Sequence, residues 1–148
     1  MRRFRFRLQS VLRLRSQLER SARSELAGAM ADVNVLDQQL QAADQGLRDC
    51  ADHAARGDAV GQLARQLELG LRRHQWRLQR RRKDAERHLE SVRVDYAAKA
   101  RDKRTVERLR EEEHDAWRRD VLRQEQAELD ETSLLTAPAR AKQREGAV

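Results

Sequence analysis

The sequence predicts an all-α protein, an antiparallel two-helix coiled-coil hairpin forming an elongated rod. Three observations carry this reading. Over 148 residues, charged side chains make up 39% and aromatics 3%, with one proline and six glycines. That balance suits long helices and supplies too few large side chains for a sandwich, a Rossmann domain or a compact enzyme core. Apolar residues recur at steps of three and four along both halves of the chain, which separates the sequence from an equally charged disordered one. Charge is blocky: residues 1–24 net +7, 25–68 net −5, 69–83 net +7 and 107–131 net −5. Such alternation fits a chain folded back so that blocks of opposite sign face each other.

The first helix is expected over about 4–56. From Phe4, helical steps select Leu8, Val11, Arg15, Leu18, Ala22, Leu26, Ala29, Val33, Leu36, Leu40, Ala43, Leu47, Cys50 and Ala54, with Arg15 the one polar member. Two four-residue steps meet at Ala22, a stutter that locally unwinds a supercoil. The turn is expected over about 57–61, where Gly57 and Gly61 flank Asp58 and read as stop, turn and restart. The second helix is expected over about 62–133, on a seam through Leu63, Leu67, Leu71, His74, Leu78, Arg81, Ala85, Leu89, Val92 and Tyr96. Thr132, Ser133 and Pro138 are expected to end it, because proline lacks the amide donor and clashes with the preceding turn. Residues 139–148 are expected to be disordered.

Centring the turn near residues 58 and 59 fixes a register. Arg2, Arg3, Arg5 and Arg7 then fall opposite Glu107, Glu111, Glu112, Glu113 and Asp115, while Asp37 and Asp44 fall opposite Arg80-Arg81-Arg82-Lys83 or Arg72-Arg73. One stretch does not cancel: Arg13, Arg15, Arg20 and Arg23 face Lys99, Arg101, Lys103 and Arg104, with Asp95, Asp102 and Glu19 for relief. This basic collar reads either as a solvated face or as a surface for an acidic protein. Because the seams pair within the chain, a monomer is expected.

No site for chemistry stands out. Cys50 is the single cysteine, so no internal disulfide or cysteine-based zinc site is expected. Glu111-Glu112-Glu113-His114-Asp115 places its side chains around a helix and cannot converge them on one ion. His53, His74 and His88 are isolated. No enzyme, cofactor or metal is therefore expected. No run of 18 apolar residues is present, so no transmembrane segment is expected, and the N-terminus lacks the apolar region of a signal peptide. The run from Arg72 to Lys83 is basic and carries Trp76, but without a recognition motif, and the facing acidic arm is expected to neutralise it; no specific nucleic acid is expected.

The opening Phe4-Arg5-Phe6-Arg7-Leu8-Gln9-Ser10-Val11-Leu12, followed by a basic, Glu-bearing helix, resembles the start of the FliJ family of flagellar type III export stalk proteins. Gln124-Glu125-Gln126-Ala127-Glu128-Leu129-Asp130-Glu131 is similar to the closing polar helix of that family. The resemblance implies a non-enzymatic stalk that inserts the end bearing both termini into the hexameric export ATPase, touches the cytoplasmic domain of the export gate and escorts export chaperones. It implies a place in the bacterial cytoplasm, peripheral at the inner membrane. It further implies an ATPase-facing set of Phe4, Phe6, Leu8, Arg13, Arg20, Arg23, Lys99 and Lys103, and a gate-facing set of Leu67, Leu71, His74 and Leu78. The latter also lie on the expected seam, so packing claims them equally. The equivalent stalk of a virulence type III system, and a generic coiled-coil adaptor or nucleic-acid binder, are the alternative readings.

Overall fold

A computed structural model describes residues 3–145, with side chains through Leu134. It is all-α, with no strand among the described residues: α1 runs Gln9–Ala54 and α2 runs Ala59–Glu145. The chain divides into two compact units, Leu14–Asp102 and the pair of segments Met1–Arg13 and Lys103–Val148.

Within Leu14–Asp102 the two helices pack antiparallel, and the buried positions define the seam. On α1 the seam runs through Arg15, Glu19, Ala22, Leu26, Ala29, Val33, Leu36, Leu40, Ala43, Leu47, Cys50 and Ala54, all buried or half-buried. Their steps alternate four and three throughout. The expected stutter is absent, because Glu19 occupies the seam while Leu18 is exposed. A carboxylate is tolerated there because Arg23 covers it at 2.6 Å, one helical turn on.

On α2 the same alternation runs through Gly61, Ala64, Glu68, Leu71, Gln75, Leu78, Arg82, Ala85, Leu89, Val92, Tyr96 and Lys99. Leu63, Leu67, His74 and Arg81, expected on the seam, are exposed instead. Gln75 and Arg82 take the places read as His74 and Arg81 because each finds a carboxylate across the interface, Asp44 and Asp37 respectively. Polar groups at a seam are stable when paired this way. Arg15 meets Asp102 at 2.6 Å, the partner that folding about residues 58 and 59 assigns to it. Leu78 lies at the centre, 2% exposed, against Leu36, Ala43, Leu40 and Ala85. Leu71 packs close to backbone, its Cδ1 3.3 Å from where a Cβ on Gly46 would stand.

Three backbone devices make the reversal. Gly57 adopts φ +73°, the left-handed conformation in which a helix commonly ends. The Asp58 carboxylate accepts the Gly61 amide at 2.9 Å and caps α2, which therefore starts at Ala59 rather than near 62. Gly61 lets α2 approach the end of α1: a Cβ there would sit 3.2 Å from the His53 carbonyl oxygen and 3.3 Å from that of Ala54.

In the other unit, the chain from Arg3 to Phe6 is not helical, so α1 does not begin at residue 4. Burial alternates there, Phe4 and Phe6 inward and Arg3, Arg5 and Arg7 exposed, a period of two that suits extended backbone. The Phe6 carbonyl accepts the Gln9 amide as the helix starts. Arg3, Arg5 and Arg7 make no ion pair with the acidic run of α2 among the described residues, because the extended segment turns them to solvent; Arg2 lies outside the described residues. Nor does α2 stop at Thr132-Ser133 or Pro138. The Thr132 and Ser133 hydroxyls donate back to carbonyls of the preceding turn, so neither competes for a new cap. The residues around Pro138 include Ala137, Ala139, Ala141, Lys142, Gln143 and Arg144, strong helix formers that carry α2 through one missing amide to Glu145. Residues 139–145 are thus helical, and the rest of the expected disordered tail, 146–148, lies outside the described residues.

Candidate partner-binding surfaces

The N-terminal segment is an anchor. Phe4 meets His114 edge-on, ring centroids 5.0 Å apart, and Trp117 at 5.9 Å; His114 and Trp117 stand 5.8 Å from each other. Phe6 and Leu12 are buried beside them in sequence. Of the apolar residues expected to face the ATPase, Phe4 and Phe6 therefore face inward, and Leu8, 39% exposed, is the one available to a partner. The physical reason is the segment's alternation, which turns both aromatic rings inward, that of Phe4 onto His114 and Trp117 of α2. His114, set aside above as a metal ligand, is an aromatic neighbour; no cluster of metal-ligating side chains occurs among the described residues.

Half of the basic collar is neutralised in place. Arg15 pairs with Asp102, Arg23 with Glu19, and Lys99 with Asp95 at 2.6 Å. Lys103 reaches Glu107 at 3.6 Å in its own unit. Tyr96, through a hydrogen bond, and then Glu19 push the Arg23 guanidinium further above its usual range. Asp95 does the same for the Lys99 ammonium. Arg101 donates to the Ala97 carbonyl. Arg13, Arg20 and Arg104 are exposed with no ion pair among the described residues. The cations left for an acidic partner are thus fewer than eight: on α1 they are Arg20 in the Leu14–Asp102 unit and Arg13 in the other.

The four expected gate-facing residues separate. Leu78 is core and Leu71 half-buried against Gly46, whereas Leu67 is 55% exposed and His74 is exposed. Near the turn Leu67 continues into an apolar hollow with Val60, Leu63 and Ala64 of α2 and Cys50 and His53 of α1. Leu63, Leu67 and His74 lie on one side of α2, flanking the seam rather than forming it.

A family model described as Flagellar FliJ protein matches residues 4–142. The chain belongs to the FliJ family. No curated protein and no solved structure matches it. The match begins at Phe4, the ring that anchors the N-terminal segment, and takes in both helices and the turn. The FliJ resemblance read above from the opening residues is thereby shown, together with the flagellar export theme it carries. No helix among the described residues is long and apolar enough to cross a membrane.

Sequence reasoning missed Val60 and Cys50 as lining of the hollow, and Trp117 and His114 as the seat of Phe4. The signal for the latter was present: Phe4 falls close to His114 in the register centred on residues 58 and 59.

Proposed function

We propose that this FliJ-family chain is a non-enzymatic stalk of the flagellar type III export apparatus. It promotes assembly and activity of the hexameric export ATPase, touches the cytoplasmic domain of the export gate and escorts export chaperones, in the bacterial cytoplasm at the inner-membrane face. The observation that carries this reading is the family match over residues 4–142. The flagellar description of that family favours the flagellar over the virulence system.

In this reading the ATPase is met by Leu8, Arg13 and Arg20, with Phe4 and Phe6 fixing the segment that presents Leu8. Arg23, Lys99 and Lys103 contribute through their ion pairs to the stability of the surface rather than as free charges. The gate is met by Leu67 and His74, with Leu71 and Leu78 supporting that face from the seam. Two measurements test it. Mixed with the cognate purified ATPase, the chain should shift light-scattering mass toward the hexamer; an unchanged mass would remove the stalk role. Leu67→Ala with His74→Ala should weaken binding to the purified gate domain about tenfold or more while leaving the urea midpoint in place. Loss of binding only in proportion to unfolding would return these residues to a packing role.

A further inference from the structure

A second exposed surface lies on the opposite side of α2. Leu69, Arg73, Trp76, Arg80 and Lys83 follow one another at steps of four, three, four and three, and all are exposed. They are displaced by two residues from the buried series Leu71, Gln75, Leu78 and Arg82, which turns them about 200° away from the seam. The stripe extends over about 21 Å of helix. Trp76 is 61% exposed and Leu69 63%, an unusual place for two large apolar side chains among cations.

The charge on this stripe is uncompensated. Nearby acids are engaged elsewhere: Glu68 with Arg72, Glu86 with Arg82, Asp84 with Arg87 and Glu90 with Arg93. Arg73, Arg77, Arg80, Arg81 and Lys83 have no ion pair among the described residues. The segment 69–83 contains seven basic and no acidic residues. The facing arm takes up Arg82 through Asp37 but does not reach the outer side.

We propose that this stripe is a docking face for an anionic lipid bilayer, which α2 meets side-on. Three features favour a membrane over the other acidic partners. The cations form a line along a helix rather than a ring around a pocket, which matches a flat surface. Apolar Leu69 and Trp76 alternate with long basic side chains, the arrangement in which indole sits at the headgroup boundary while guanidinium and ammonium groups reach phosphate. The Arg80 guanidinium stands 5.8 Å over the Trp76 ring, so that a nucleobase could stack on that face only by displacing it, whereas at a headgroup layer the pair persists. The face shares no residue with the ATPase-facing or gate-facing sets, so its failure and theirs are separate results.

The test is sedimentation of the full chain with vesicles of phosphatidylcholine alone or mixed with phosphatidylglycerol. The chain should pellet with the anionic vesicles, not with the neutral ones, and release as salt is raised. Arg73→Gln, Arg80→Gln and Lys83→Gln together should lower the partition coefficient about a hundredfold, at roughly fivefold per cation near an anionic surface. In a Trp117→Phe background, which leaves Trp76 as the one indole, anionic vesicles should shift the emission to the blue. A far-UV spectrum confirms that each variant is folded. Equal binding to neutral vesicles, no binding to anionic ones, full binding by the triple variant, or an unshifted Trp76 would each overturn the proposal. So would retention on DNA or on an acidic polypeptide that the triple substitution abolishes without any vesicle binding.

Discussion

Gly61 and Gly57 look alike in the sequence and act for different reasons. Gly57 needs its positive φ, and Gly57→Ala should cost about 1 kcal/mol from strain alone. Gly61 needs space, since the atoms that a Cβ would meet are carbonyl oxygens of His53 and Ala54 that cannot rotate away. Gly61→Ala should therefore cost more than Gly57→Ala, about 2 kcal/mol, as overpacking against backbone does. Asp58→Ala, which removes the cap on the Gly61 amide, should cost about 1 kcal/mol. Urea denaturation of the three variants checks the order; a Gly61→Ala protein as stable as the parent would mean that α2 does not approach α1 this closely. The turn was readable because two glycines four apart flank an aspartate there, whereas Gly28, Gly46 and Gly70 stand singly inside the helical pattern. Which glycine did which task was not, because close approach between helices depends on residues outside the local run.

Each helix was visible in the sequence, and the seam only in part. A frame that prefers apolar residues takes Leu18 over Glu19, Leu63 over Ala64, and His74 over Gln75. Burial goes the other way each time, because regular alternation of three and four governs which side chains can face a partner helix, and polar groups follow when paired. Asp37 and Asp44 stand one heptad apart, as do Gln75 and Arg82, and each joins its counterpart. That doubled spacing was the available sign of polar seam positions. Leu78→Ala should cost roughly 2–5 kcal/mol. Leu67→Ala, at an exposed position, should stay within about 0.5 kcal/mol. Matched denaturation curves decide it. Similar losses for both would restore the apolar frame. Candidate partner residues were less readable still, since Leu67 and His74, proposed for the gate, differ from Glu68 and Gln75 of the seam by one step, and one step on a helix turns a side chain from buried to exposed.

Taken together, the chain assigns its charges to two tasks. Four of the eight collar cations are paired, with Asp102, Glu19, Asp95 and Glu107, which leaves Arg13 and Arg20 as the cations of α1 in that stretch without an ion pair among the described residues. Membership of the FliJ family says to what apparatus such a chain belongs, and the distribution of paired and unpaired charge says which residues a partner can use. The most direct test of the stalk reading is the ATP hydrolysis rate of the cognate export ATPase with this chain and with its Arg13→Glu, Arg20→Glu variant. The parent chain should raise the rate, and the doubly reversed variant should lose most of that rise, with helicity and urea midpoint unchanged because neither arginine is paired. Stimulation by the variant equal to the parent's, or none by the parent, would contradict the account.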